Sequence, residues 1–278
     1  MARNITGAAF LSLDGVMQAP GGPDEDPTGG FDQGGWVFKL WDEGIEETLG
    51  ALFTPPYDLL LGRRTYDIFA AYWPYADGDN KPMGEAFDAA NKYVMTRGDQ
   101  PLEWQNSHRM RGVEDIAALK QTEGADIVIQ GSSEIYPPLL AAGLIDTLIT
   151  MTYPVILGGG KRLFGEGSPV DKLEMTDHRV TAKGTVIATY TPGGTQPPYP
   201  DEAPIPILSD RIERIPGFLP AWRSRPRLKP SGENATLPEQ LIRLHHPAQP
   251  RLVAAVAPVA IRVVAAHEFR IALAQTLA

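Results

Sequence analysis

Two stretches of this chain repeat one local plan: a short apolar run, a glycine-bearing polar turn, then a helix start. The first runs Leu59-Leu60-Leu61-Gly62-Arg63-Arg64-Thr65-Tyr66, and the second Ile127-Val128-Ile129-Gln130-Gly131-Ser132-Ser133-Glu134-Ile135-Tyr136. A strand that delivers a glycine turn to a helix N-terminus presents unpaired N–H groups and the positive end of a dipole to an anion. Two such turns in one α/β domain suit a ligand with phosphates in two places, such as a nicotinamide dinucleotide.

The rest of the first 193 residues alternates in the same way. Residues 5–13 are apolar enough for a buried first strand, and a long loop dense in Gly, Pro and Asp follows. Asp42 is placed to N-cap a helix whose Ile45, Leu49 and Leu52 share a face. Further strands are expected at 58–61, 92–95, 127–130 and 145–152, and helices from the end of the first glycine turn to about Tyr72, at 113–121 and at 137–142. Residues 172–178 and 186–190 read as a closing hairpin. Alternating strands and helices imply a mainly parallel sheet covered on both faces, with an antiparallel end.

At residue 194 the chain changes character. The first 193 residues hold 15 basic and 27 acidic residues, whereas the last 85 hold 10 and 7, with 13 of the 26 prolines. Residues 194–278 are open to three readings: a disordered extension, an out-of-frame translation of an arginine-rich gene end, or a small functional domain. No chemistry is assigned to them. A formal charge of −9 argues against a nucleic-acid partner, and the absence of cysteine excludes disulfides, thiolate metal sites and cysteine nucleophiles. The start lacks a secretory core, and 252–266, the most apolar run, is broken by Pro258 and Arg262. The expected setting is cytoplasmic, without a membrane.

Several residues are candidates for chemistry. Arg63 and Arg64 add permanent charge to the first turn, and Thr65 is placed to cap the helix behind it. Thr96 and Arg97 follow the third strand, where a parallel sheet offers its carboxyl ends to a ligand; there Arg97 would meet the 2′-phosphate that separates NADPH from NADH. Gly131, Ser132 and Ser133 form the second cradle, with Tyr136 one turn onward to brace the cofactor. Asp14, backed by Gly15, faces the expected reacting centre or else forms an Asp-Gly turn. Glu46 is a second carboxylate, in an acidic first helical turn that complements the dipole. The five histidines form no metal or nucleophile pattern, and no Walker loop or serine elbow occurs. Gly158-Gly159-Gly160-Lys161-Arg162 reads as a flexible bend.

Taken in order, Ser12-Leu13-Asp14-Gly15, Leu61-Gly62-Arg63-Arg64-Thr65-Tyr66, Lys92-Tyr93-Val94-Met95-Thr96-Arg97, Trp104-Gln105-Asn106-Ser107, Ile129-Gln130-Gly131-Ser132-Ser133, Gly143-Leu144-Ile145-Asp146 and Pro154-Val155-Ile156-Leu157-Gly158-Gly159-Gly160-Lys161-Arg162-Leu163-Phe164 resemble the dihydrofolate-reductase-like superfamily. The likeness is to stand-alone relatives of the C-terminal reductase domain of bacterial riboflavin-biosynthesis deaminase-reductases, and it covers residues 3–192. It implies a three-layer α/β fold with a mixed, mainly parallel eight-stranded sheet. It also implies NADPH as cofactor, with the 2′-phosphate at Arg97 and the turn of residues 62–65, the pyrophosphate along residues 131–133, and the loop at Asp14 and Gly15 bordering the nicotinamide. Counting back from Gly62 places Glu46 near the acidic helix residue of folate reductases. The implied reaction is hydride transfer to a small heterocycle, in the manner of a 5-amino-6-(5-phosphoribosylamino)uracil reductase. A folate reductase proper and a non-catalytic NADPH-binding sensor are the alternatives. Relatives often dimerise, so a homodimer is expected. The insertion at residues 19–35 departs from the riboflavin enzymes and should alter the substrate mouth.

Overall fold

The structure, a computed structural model, describes residues 2–165, 168–169 and 172–194. The three readings of the tail after residue 194 lie almost wholly outside the described residues.

The chain's apolar runs become the strands of one sheet. They are β1 (Ile5–Ser12), β2 (Tyr57–Gly62), β3 (Lys92–Met95), β4 (Ser107–Met110), β5 (Asp126–Gln130), β6 (Thr147–Tyr153), β7 (Leu173–Val180) and β8 (Val186–Pro192). The sheet order is β4-β3-β2-β5-β1-β6-β8-β7. The first six pair in parallel, while β8 runs antiparallel to both β6 and β7. The mixed sheet with an antiparallel end matches the expectation.

Alternate residues of each strand feed opposite faces. On one face Ile5, Ala9, Leu60, Ile127, Ile129 and Leu148 meet α4 (Val113–Lys120) through Ile116 and α5 (Tyr136–Ala141) through Leu139. On the other, Leu59, Leu61 and Val128 meet α2 (Arg63–Tyr72) through Tyr66 and α3 (Lys81–Ala89) through Phe87. Farther along that face, Ala8, Met151 and Tyr153 meet Ile45 of α1 (Glu43–Leu52). Asp42 caps α1 as expected, its side chain accepting from Ile45 N.

Two elements had no counterpart in the expected order. Helix α3 carries Pro82 and Gly84, which hide its period; proline is tolerated there because it falls in the first turn. Gly84 is required by close approach, since a Cβ on it would lie 2.6 Å from the Trp73 carbonyl oxygen. Strand β4 is a polar edge strand without the apolar alternation that marks a strand.

Tyr136 corrects an expectation. Instead of bracing a ligand, it is fully buried, and its hydroxyl donates to the Ala8 carbonyl at 3.1 Å. The ring lies against β1 because residue 7 is glycine: a Cβ there would stand 2.6 Å from Tyr136 Cε1. The residue positions α5 under the sheet and does not face the cavity described below.

Candidate active site

The carboxyl ends of β1, β2, β3 and β5 border a cavity of about 820 Å³. The crevice outside those strand ends is where open α/β sheets bind ligands. Of the residues singled out in the sequence, Gly62, Arg63, Arg64, Thr65, Thr96, Arg97, Gly131, Ser132, Ser133 and Glu46 line it. Asp14, Gly15 and Tyr136 do not.

The two glycine turns are tied together by one hydroxyl. Ser132 Oγ accepts from Gly62 N at 2.7 Å and donates to Thr65 Oγ1 at 2.8 Å. Thr65 is therefore not the helix cap: Gly62 holds that position, without a side-chain cap bond, and Thr65 lies inside the first turn of α2. Gly131 and Ser132 both have left-handed backbones, with φ of 70° and 67°. A Cβ on Gly131 would also approach Thr65 to 3.2 Å, so glycine is needed there twice over. Serine at φ 67° costs of order 1–3 kcal/mol, and strain of this kind concentrates at functional sites. Its two hydrogen bonds hold it.

The cations around the cavity differ in what they meet. Arg63 pairs with Asp67 at 2.8 Å and donates to the Gln100 and Pro101 carbonyls. Arg111 pairs with Asp99 at 2.5 Å. Arg64 and Lys161 both reach Asp26, at 2.9 and 2.8 Å. Arg97 is exposed, and among the described residues its guanidinium meets no carboxylate. Among the described residues it is the one cavity cation that meets no carboxylate.

Asp26 and Glu25 belong to the 19–35 insertion, and neither was singled out in the sequence. Burial opposes ionisation of Asp26, but hydrogen bonds from Lys161 and Thr28 outweigh it and hold its carboxyl below the usual range. Gln18 ties the segment down, donating to the Asp26 carbonyl at 2.8 Å and the Thr28 carbonyl at 2.9 Å, while its Oε1 accepts from Lys161 N. Lys161 is thus anchored rather than carried on a loose bend. Glu25 faces the cavity with its pKa raised by burial, although its carboxylate accepts from Gly21 N and Gly22 N. A run of Gly21, Gly22 and Glu25 is a visible turn signal, but nothing in it tells that the carboxylate turns inward.

Asp14 works elsewhere. Its carboxylate accepts from Ser12 Oγ at 2.7 Å, Leu157 N at 3.1 Å and Gly158 N at 3.0 Å, which lowers its pKa to about 2. Arg162 stands 3.7 Å away and also donates to the Asp14 carbonyl. A carboxylate so bound clamps the loop after β6 and is a poor proton donor, which corrects its expected catalytic role. Gly15 forms the turn beside it.

Glu46 reaches the cavity from α1, and its Oε1 accepts from Trp41 Nε1 at 3.1 Å. Phe10, Phe38 and Trp41 form one aromatic wall, with ring centroids 6.0 and 6.1 Å from Trp41. Phe69, Trp73 and Phe87 form another, with Phe87 4.9 Å from Trp73. Between the walls and the glycine turns lies Gln130, whose Oε1 is buried without a partner among the described residues. A buried acceptor left unpaired is costly, and this one lines a cavity where a ligand N–H would satisfy it. The first turn of α2 likewise has N–H groups without intrahelical acceptors. Free guanidinium, helix N-terminus, close-approach glycine and orphan acceptor together fit a nicotinamide dinucleotide phosphate. Among the described residues no cluster of side chains could hold a metal ion.

A family model for the RibD C-terminal domain matches residues 3–187. The uncharacterized protein YyaP of Bacillus subtilis (strain 168) is 25% identical over 183 residues, covering 65% of this chain and 90% of YyaP. Among solved structures, a dihydrofolate reductase from Enterococcus faecalis, complexed with NADP(H) and RAB-propyl, superposes with a TM-score of 0.45 at 18% identity, covering 69% of this chain and 99% of that one. A pyrimidine reductase-like protein from Corynebacterium diphtheriae gives 0.45 at 14% identity, over 68% and 92%. The extent of the family match settles the classification: the chain belongs to the RibD C-terminal domain family.

Proposed function

We propose that this protein is an NADPH-dependent reductase that delivers a hydride to a C=N or C=O bond of a small heterocycle. The observation that carries the reading is the cavity itself. One side is built from two cross-linked phosphate-type turns with an arginine, Arg97, that meets no carboxylate among the described residues, and the other from aromatic walls with one carboxylate on α1. Membership in a reductase-domain family supports the same reaction class.

NADPH, when bound, supplies the hydride; the residues of this chain supply position and a proton. Arg97 is assigned to the 2′-phosphate, because a guanidinium never loses its charge and donates in pairs. The N–H groups at residues 131–133, the Ser133 hydroxyl and the first turn of α2 are assigned to the pyrophosphate. Gln130 Oε1 accepts a ligand N–H. The aromatic walls exclude water and hold a flat ring. Glu46 hands a proton to the substrate nitrogen or oxygen that gains the electron pair, with its carboxyl oriented by the Trp41 N–H.

Mixing enzyme and NADPH with a panel of pterins, aminopyrimidines and flavins, and following loss of the reduced nicotinamide, tests this. Oxidation with at least one member of the panel is expected. Tight NADPH binding with no oxidation by any member would speak instead for a sensor.

A further inference from the structure

We infer that Glu25, from the 19–35 insertion, is a second carboxyl that touches the molecule reduced in this cavity. Its Oε1 donates a hydrogen bond to a carbonyl oxygen or bare ring nitrogen of that molecule. The inference rests on the reductase reading for what fills the cavity, and it adds a specificity-determining contact to the proton transfer assigned to Glu46.

The local chain fixes one oxygen of this carboxyl and leaves the other. A turn closed by Glu25 N on the Gly22 carbonyl at 3.3 Å brings the side chain back over its own segment. There Oε2 accepts from Gly21 N at 2.6 Å and from Gly22 N at 3.1 Å. Oε1 makes no hydrogen bond among the described residues, and Glu25 lines the cavity. The two amides occupy Oε2, so a proton on this carboxyl sits on Oε1, as an O–H open to a ligand.

The surroundings favour that proton. Burial pushes the Glu25 pKa up; the Gly21 and Gly22 amides work against this, and the neighbouring Asp26 charge adds to it. The other charged groups around it are Asp24 in its own segment, Lys161 and Arg64, which reach Asp26 from the loop after β6 and from α2, and Glu46 on α1. A protonated carboxyl donates, where a carboxylate only accepts.

Position puts the group where the two halves of the cavity meet. Asp26, the next residue, binds Arg64 at 2.9 Å in the first turn of α2, beside the glycine turns. On the other side, the Ala19 carbonyl accepts from Gly35 N at 2.9 Å and the Pro20 carbonyl from Val37 N at 3.4 Å. Those bonds join the segment to the chain that leads into Phe38 and Trp41, the first aromatic wall. Glu25 thus belongs to a strap tied at one end to the phosphate-type turns and at the other to the ring-binding wall. A hydride donor and its acceptor have to meet along that border.

The test uses the full chain, with riboflavin as probe. Riboflavin offers carbonyl oxygens and bare ring nitrogens and does not ionise between pH 5 and pH 9. Quenching of tryptophan fluorescence reports occupancy beside Trp41. The donor is present below the raised pKa of Glu25 and is lost as pH rises through it. Wild type should therefore bind riboflavin about tenfold more weakly at pH 9 than at pH 5, the worth of one hydrogen bond. Glu25→Gln puts a non-titrating N–H in place of the O–H, while its amide oxygen still accepts from Gly21 and Gly22. It should keep the pH 5 affinity of wild type within about threefold and lose the pH dependence, whereas Glu25→Ala should be about tenfold weaker at pH 5. NADPH is titrated separately at pH 7 and should bind all three proteins alike, so failure of the cofactor reading registers on its own. Wild-type affinity that is flat or rises with pH overturns the inference, as does pH dependence that persists in Glu25→Gln. So does Glu25→Gln as weak as Glu25→Ala, Glu25→Ala as tight as wild type, or absence of riboflavin binding.

Discussion

Arg97 stands out from its neighbours because nothing compensates its charge within the described residues, and that single difference makes a sharp prediction. Arg97→Ala should weaken NADPH by about ten- to a hundredfold while leaving NADH nearly unchanged, the loss of one charge-assisted phosphate fork. Titrating both nucleotides against the variant checks it, and equal losses would remove the 2′-phosphate role. Glu46→Gln should lower kcat about a hundredfold, the usual range for a lost general acid, with NADPH affinity intact. Asp14 carries a prediction of a different kind. Its pKa falls from 3.8 to about 2 on folding, chiefly through the Ser12 hydroxyl and then the Leu157 and Gly158 amides. The sign follows from proton binding: a carboxyl depressed in the folded state stabilises it above its unfolded pKa, and that stabilisation fades as pH drops toward the folded value. Wild type should therefore exceed Asp14→Asn in denaturation midpoint above pH 4, and the gap should close on acidification toward pH 2. A gap independent of pH would show that the carboxylate charge is not what clamps the loop after β6.

The elements that follow apolar periodicity stand close to where the sequence puts them: β3 covers Lys92–Met95 and α2 ends at Tyr72, both as expected, although α2 starts at Arg63, ahead of the expected Thr65 cap. Strand β1 ends at Ser12, one residue before the expected boundary, because the Leu13 N–H turns to the Val155 carbonyl and its side chain is left exposed. Helix α3 and strand β4 escaped because their glycine, proline and polar content erases the pattern on which such reading depends. Close packing between elements leaves even less trace. Nothing in the sequence says that Gly7 must be glycine, yet the Tyr136 ring occupies the space above it. Gly7→Ala should cost about 1–3 kcal/mol, by overpacking α5 against β1. Chemical denaturation would measure this, and a neutral substitution would mean that the ring can move aside.

Across the whole molecule, what was legible is the part of the site written in consecutive residues. The turns at Gly62 and Gly131 and the arginine after β3 all line the cavity. What was not legible depends on partners far apart in the chain. Asp26 joins Arg64 to Lys161, Ser132 joins Gly62 to Thr65, and Phe10 meets Trp41 only once β1 and the segment before α1 come together. Asp14 misled for the same reason: its sequence neighbours leave it open to the reacting centre, whereas the amides that bind it lie 143 and 144 residues away. Among the described residues no helix is long and apolar enough to cross a membrane. The expected homodimer stands as a proposal that sedimentation would decide. All the functional assignments meet in one requirement, that the cavity bind a reduced nicotinamide dinucleotide and prefer the 2′-phosphorylated form. Isothermal titration calorimetry on the full chain measures it most directly. One NADPH site per chain, at least tenfold tighter than NADH, is the predicted result; no heat with either nucleotide would contradict it.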